Sequence, residues 1–196
     1  MFSLPSCLAA LLVCGFAVFS STTTLAVAQT DSTQPPNAKL QLKADVLLTP
    51  EFCTTKFKKG SWKTIKEEFA LGPSACDDIE SGLAGVFSRL TRVQKNPTPL
   101  DAQVLLTPRF VDVAATTGVT AFSNRDLVIV MEWTAKDASG KTVWIDTVQG
   151  SATHHMGNVF TYTKNRNRIV TDSVKDAVAK AAQKMAASPD LRRVAQ

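Results

Sequence analysis

The chain has 196 residues and a formal net charge of +5, with 22 lysines and arginines against 17 aspartates and glutamates. This length suits a single domain that can bury a core without metals or many disulfides. The charge is weakly positive and lacks the dense basic runs typical of nucleic-acid binding, so we expect no nucleic-acid partner.

The first 28 residues have the pattern of a cleaved secretion signal. No charged side chain occurs between residues 2 and 30, and residues 8–19 form an unbroken apolar run. This run is shorter than the roughly 20 residues of a membrane-spanning helix and has the length of a signal core. Small residues at Ala26 and Ala28 place the cleavage after Ala28. We therefore predict an exported protein, either periplasmic or extracellular.

Two alternatives to cleavage stay open at this end of the chain. The basic residue usual near the start of a signal is absent, which is compatible with an uncleaved membrane anchor. Cys14 follows an apolar tripeptide, as in lipoprotein signals, but Val13 suits that position poorly and the apolar run continues beyond it. We expect no lipid anchor. Residues 29–39 are predicted to be a flexible leader, and residues 40–192 a single domain.

The cysteines agree with export. Cys7 and Cys14 leave with the signal, whereas Cys53 and Cys76 remain as an even pair. In an oxidising compartment such a pair is expected to form a disulfide. The alternative is two free thiols, one of them catalytic, although no Cys-x-x-Cys spacing is present.

The first half of the domain predicts two strands and a helix. Apolar residues alternate from residue 40 to 48, which predicts a strand, and residues 62–71 predict a second strand. Ser74 follows a Gly-Pro break and predicts a helix N-cap. The apolar face of that helix continues at helical spacing to Leu90, which places Arg89 and Arg92 in its last turns.

The second half predicts three strands and a second helix. The strands are expected at residues 103–113, 127–135 and 142–152, followed by an aperiodic loop at 153–168 and a helix at 171–187. The predicted fold class is α+β. It has a largely antiparallel or mixed sheet of about five strands, with two helices on one face, in the order β-β-α-β-β-β-α.

No motif with a known catalytic mechanism occurs in the sequence. A phosphate-binding glycine loop, a zinc-protease H-E-x-x-H and a G-x-S-x-G elbow are all missing. His154 and His155 are weak metal-ligand candidates, because neighbouring residues of a strand point to opposite faces. We predict no cofactor and no enzymatic activity. A metal-dependent or hydrolytic enzyme at this histidine pair is the alternative.

Basic residues near aromatic side chains suggest an anionic lipid or glycan as an alternative ligand, held by salt-sensitive attraction. These residues lie in two stretches of the chain: Lys58, Lys59 and Lys63 around Trp62, and Arg166 and Arg168 before the last helix.

The central hairpin and the last helix resemble those of a known group of proteins. A strand beginning at Leu127 leads into an Asp-Ala-Ser-Gly-Lys turn and a strand containing Trp144, and an alanine-rich helix follows with an Asp176-Ala177 pair. This pattern resembles small bacterial envelope proteins, namely the YajG-like lipoproteins and the TolB amino-terminal-like domains. The resemblance implies an α+β domain that acts in envelope assembly or transport by binding.

The predicted function is therefore non-enzymatic binding to another envelope protein, or self-association. Open sheet edges would allow strand pairing with the partner. The aromatic residues expected to make contacts are Trp62, Trp144, Phe160 and Tyr162.

Overall fold

A five-stranded mixed sheet with helices against one face forms the core. The computed structural model describes residues 39–61, 65–116, 124–155, 157 and 161–196. The predicted signal and leader lie outside the described residues, as do Trp62, Lys63 and Phe160, and for Lys59 only the backbone is described. The strands are β1 Leu40–Leu47, β2 Lys56–Ser61, β3 Ile65–Ala70, β4 Phe87–Val93, β5 Val104–Ala115, β6 Asn124–Asp137 and β7 Thr142–His155. The helices are α1 Pro50–Cys53, α2 Leu71–Leu83, α3 Tyr162–Ala187 and α4 Pro189–Val194.

The order of strands in the main sheet is β4-β1-β5-β6-β7, and β2 and β3 form a separate antiparallel pair. Strand β1 pairs in parallel with both β4 and β5, whereas β5, β6 and β7 are antiparallel to one another. The predicted α+β class and the mixed sheet are confirmed. Among the described helices, none is long and apolar enough to cross a membrane.

The alternation of side chains along the strands separates the two faces of the sheet. In β6, the side chains that face the helices are fully buried, while their neighbours are only partly buried. Burying this alternate set of side chains contributes to the hydrophobic stabilisation of the domain. The set comprises Leu127, Ile129, Met131, Trp133 and Ala135.

The predicted second strand and the first helix are only partly correct. Strand β3 ends near the predicted end of the second strand. It pairs antiparallel with β2, a partner that the sequence did not indicate. Helix α2 begins at Leu71 rather than after Ser74, and Ala70 caps it without a side-chain hydrogen bond.

The predicted continuation of this helix to Leu90 is wrong. Helix α2 ends at Leu83, and residues 87–93 are strand β4. Gly82 and Gly85 weaken the helix here, and the Val86 carbonyl accepts a hydrogen bond from Leu40 N–H at 2.7 Å. Pairing with β1 thus replaces the helix, and the two arginines assigned to its last turns lie on a strand.

Regular structure also covers most of the predicted aperiodic loop. Strand β7 continues to His155, and α3 begins at Tyr162, so the helix has about nine residues more at its start than predicted. The chain after Ser188 forms the short helix α4, whose first turn Ser188 caps by accepting a hydrogen bond from Leu191 N–H.

Helix α3 lies close against β7 at Gly150. A Cβ atom at this position would lie 2.6 Å from Ala177 N and Ala177 Cβ, and would overlap the Ser173 carbonyl oxygen. Since the obstruction is mostly helix backbone, a side chain here cannot be accommodated by a change of rotamer. The absence of a side chain at residue 150 therefore sets the distance between helix and sheet.

We expect Gly150→Ala to lower the free energy of unfolding by about 3 kcal/mol, because α3 must move off the sheet. Urea denaturation followed by circular dichroism measures this. Gly85→Ala is the matched control, since a Cβ at residue 85 meets no atom within 4 Å, and it should leave stability unchanged or raise it by about 0.5 kcal/mol. Equal stability of the two variants would show that the contact is not tight.

Candidate functional site

The predicted disulfide is present and lies beside the edge strand β4. Cys53 ends α1 and Cys76 is in α2, with their Cα atoms 5.6 Å apart. The Arg92 guanidinium extends from β4 toward this bond, with 3.5 Å from Nη1 to the Cys76 carbonyl oxygen and 3.5 Å from Nη2 to Cys53 Sγ. The disulfide therefore links α1 to α2 at the place where the Arg92 side chain of β4 contacts both helices.

The first predicted basic stretch is partly neutralised where the structure describes it. Lys56 Nζ lies 2.9 Å from Glu68 Oε1, and Lys58 Nζ lies 3.7 Å from Glu68 Oε2 across the β2–β3 pair. The charge of Lys56 acts on Glu68, and the pKa of this carboxyl is lowered, chiefly by the Lys56 hydrogen bond. Lys58 therefore shares one carboxylate with a neighbour.

The residues of the second basic stretch lie on the first turns of α3. Arg168 Nε is 3.8 Å from Asp172 Oδ2, one helical turn along, and Arg166 is partly buried. The Tyr162 hydroxyl accepts a hydrogen bond from Arg125 Nη1 at 2.9 Å. Arg125 is only 3% exposed and lies over the Phe69 ring. Tyr162 thus contributes to a packed arrangement at the end of the sheet.

The two histidines are the last residues of β7 and not loop residues. They point to opposite faces: His154 Nε2 is 2.7 Å from Asp172 Oδ2 on α3, and His155 Nδ1 is 3.4 Å from Asn124 Oδ1. No group of three or more metal-ligating side chains occurs in the part of the chain that the structure describes. Trp144 is 9% exposed and faces the helices, so little of its ring is accessible to a partner.

Side chains of α3 occupy the outer edge of β7. Ser151 N–H donates to Asp176 Oδ2 at 2.8 Å. Lys180 Nζ donates to the Gln149 carbonyl at 3.0 Å, and Lys184 Nζ to the Thr147 carbonyl at 3.0 Å. These helix residues are four apart, and the strand residues are two apart. We call Asp176, Lys180 and Lys184 the α3 clamp.

The electrostatics of the α3 clamp keep Asp176 ionised. Burial raises the pKa of its carboxyl and is the largest single effect, but hydrogen bonds from Lys180 Nζ and Ser151 N–H together outweigh it. The net pKa is therefore lowered. A carboxyl of this kind stabilises the fold above its unfolded-state pKa, and the contribution is lost as the pH falls through the folded-state pKa.

The opposite edge of the sheet is free within the described residues. Strand β4 is the terminal strand there, and Leu48 N–H donates to the Val93 carbonyl at 2.9 Å. Backbone groups alternate in direction along a strand, so Thr91 also faces β1. Leu90 and Arg92 consequently direct their N–H and C=O groups outward.

Two like charges lie side by side at this free edge. Lys43 of β1 and Arg89 of β4 are direct partners in the strand register, and both are exposed. Leu42, Ala44 and Leu90 pack in or against the core, so these two charged side chains point to the face of the sheet without helices. In the described part of the chain, neither of them forms an ion pair.

One buried carboxyl lies near this charged pair. Asp45 is on the same face of β1 and is only 9% exposed. Burial raises its pKa, the positive charge of Arg89 lowers it, and the negative charge of Asp101 raises it, with a net upward shift. The Asp45 carboxyl is therefore buried, whereas the side chains of Lys43 and Arg89 on the same face are exposed to solvent.

The free edge and the α3 clamp were both missed by the sequence analysis. The helical spacing of apolar residues predicts Arg89 and Arg92 in the last turns of a helix, whereas both residues lie on strand β4. The clamp residues do show a signal, a charged stripe at four-residue spacing beside the alanine-rich face of the last helix. The sequence does not indicate that this stripe contacts the backbone of β7.

No protein-family model matches the chain, and no curated protein matches its sequence. Among solved structures, a Xanthomonas campestris protein of family DUF330 is similar with a TM-score of 0.52 and 7% identity, over 76% of this chain and 88% of that chain. A minor lipoprotein from Acinetobacter baumannii gives a TM-score of 0.46 and 12% identity, over 76% of this chain and 94% of that chain.

The likeness to the DUF330 protein shows a shared fold alone. The more specific resemblance to YajG-like and TolB amino-terminal-like proteins stays a prediction. The comparisons do not test the expectation that a lipid anchor is absent, and it stays a prediction.

Removing the disulfide by Cys53→Ala/Cys76→Ala should lower the free energy of unfolding by about 3 kcal/mol, since the unfolded chain loses a constraint. Urea denaturation measures the change. Treating the wild-type protein with a reductant should lower its stability equally and leave the variant unaffected. A wild-type protein that is insensitive to reductant would contradict the prediction.

Lys180→Ala/Lys184→Ala should expose two backbone carbonyls of β7 and promote self-association, because an uncovered edge strand pairs readily with another. Sedimentation velocity over a range of protein concentrations measures this. Lys136→Ala/Lys164→Ala removes the same charge at two exposed lysines that form no ion pair in the described part of the chain, and it should leave self-association unchanged. Equal sedimentation of the two variants would exclude a role for the α3 clamp.

Proposed function

We propose that this chain is a non-enzymatic domain, exported to the cell envelope, that binds another protein by adding an extended segment of it to β4. One observation carries the proposal. Of the two outer strands of the sheet, β7 has three backbone groups between Thr147 and Ser151 bound by the α3 clamp, whereas β4 directs the backbone groups of Leu90 and Arg92 outward, with no partner among the described residues.

Strand addition suits a surface of this kind. An extended peptide obtains affinity from main-chain hydrogen bonds and specificity from alternate side chains. Strand β4 has seven residues and carries Arg89 and Arg92. Pairing two copies of β4 would bring four arginines into adjacent strands, and like charges in neighbouring strands are destabilising. The charge therefore favours a different protein over a second copy as the partner.

Export is supported by the covalent chemistry of the chain. The Cys53–Cys76 disulfide is of a type that persists in oxidising compartments. The uncharged N-terminal segment with its small residues before position 29 points to the same setting. The absence of catalytic motifs from the sequence supports binding rather than catalysis.

The alternative of anionic lipid or glycan binding is less well supported by the geometry. Lys58 shares Glu68 with Lys56, and Arg168 lies near Asp172. Charges that already have partners attract a further anion less strongly, because part of their field is cancelled. Lys43 and Arg89 are exposed and form no ion pair within the described residues, so they are the better candidates for binding.

Arg92→Pro should abolish partner binding and Arg92→Ala should retain most of it. Both variants lose the guanidinium, but only proline removes the outward N–H, and proline is tolerated on an edge strand. A photo-crosslinking residue at position 95, just beyond β4, would report the partner as an adduct in cells. The same residue at position 149 on β7 is the control and should give no adduct.

Thermal unfolding of both Arg92 variants checks that the edge is still folded. An adduct of equal yield from the two variants would show that the outward N–H is not used. An adduct from position 149 instead of position 95 would place the partner at β7 and contradict the proposal.

A further inference from the structure

We propose that the segment added at β4 is acidic and places a carboxylate beside Arg89. This inference rests on the proposed strand addition and deepens it by naming the chemistry of the partner. Its evidence is the charged pair at the edge of the sheet, taken together with the outward backbone groups of β4.

The register of the sheet defines a row of side chains that ends at the free edge. Lys43 and Arg89 are adjacent in this row, and both lie on the face without helices. The residue of an added strand opposite Arg89 would be the third member of the same row. Its side chain would lie about 5 Å from Arg89, within reach of a direct interaction.

The two cations of this row repel each other, and the buried Asp45 carboxyl, on which the charge of Arg89 acts, offsets this repulsion only in part. Like charges directly opposite each other on neighbouring strands destabilise a sheet, whereas opposite charges stabilise it. Asp45, the carboxyl on the same face, is buried and forms no ion pair with Arg89 within the described residues. A carboxylate on the added strand would compensate Arg89 directly and Lys43 at a greater distance.

The chemistry of arginine favours a carboxylate in this position. A guanidinium presents a planar set of donors that matches two carboxylate oxygens. A lipid headgroup could also supply an anion, but it could not pair with the outward N–H and C=O groups of Leu90 and Arg92. Only an extended polypeptide satisfies both features of the edge, so an acidic peptide segment is the occupant that we propose.

The test uses three fluorescently labelled decapeptides that alternate threonine with glutamate, glutamine or lysine, each compatible with a strand. Fluorescence anisotropy with the purified protein measures their affinities. The glutamate peptide should bind at least about five-fold more tightly than the glutamine peptide, and the lysine peptide least. The difference should shrink as salt is added.

Arg89→Gln and Lys43→Gln should each reduce the preference for the glutamate peptide and leave binding of the glutamine peptide unchanged. Lys164→Gln, which removes an equal charge from α3, is the control and should have no effect. Arg92→Pro should weaken binding of every peptide, because it removes a main-chain donor.

The outcomes separate this inference from the proposed function. Equal binding of the glutamate and glutamine peptides, both lost in Arg92→Pro, would overturn the acidic segment and leave strand addition intact. Binding of the glutamate peptide that is unchanged in Arg92→Pro would overturn strand addition, and with it the inference that the added segment is acidic. Binding of no peptide, together with capture of the protein by phosphatidylglycerol vesicles but not by phosphatidylcholine vesicles, would overturn both in favour of lipid.

Discussion

The close contact between α3 and β7 at Gly150 is the constraint on which the surface of this protein depends. Because Gly150 has no side chain to separate the strand from Ser173 and Ala177, α3 packs at a short distance from β7. At this distance the side chains of the α3 clamp extend to the outer edge of β7 and bind its backbone. A helix held farther away could cover the face of the sheet but not its edge.

The two edges consequently differ in what they can bind. A sheet with two free edges can pair with neighbours on both sides, and such pairing leads to chains of molecules. The α3 clamp binds the middle of β7, whereas β4 is free within the described residues, so strand addition is favoured at β4. The arginines of β4 add a second restriction, since they disfavour pairing with an identical edge. The proposed addition of a single segment agrees with this difference between the edges.

The parts of the fold that depend on nearby residues could be predicted from the sequence. The β6–β7 hairpin follows from alternating side chains and a turn, and the amphipathic pattern of α3 indicates its packing face. The error at residues 84–93 has a physical cause. Apolar residues continue there at helical spacing, but the strand that they form pairs with β1, far away in the chain. Local periodicity contains no information about that partner.

The candidate site was predicted less well than the fold, for a related reason. Residue types indicated basic surfaces, but the availability of a charge depends on what lies across the strand from it. Lys58 faces Glu68, whereas Arg89 faces Lys43, and only the register distinguishes them. Likewise, the charged stripe of α3 is visible in the sequence, while its function of covering a strand requires the position of β7.

The connectivity of the sheet also determines when the binding edge becomes available. Strands β6 and β7 and helix α3 are consecutive in the chain, so the covered edge is built from local contacts that form readily. The β4 edge requires β1 to pair in parallel with a strand beyond α2, which involves closing a longer loop. We therefore expect β4 to be completed late in folding. A partner that paired with β4 in the way we propose would accordingly recognise only chains that have finished folding.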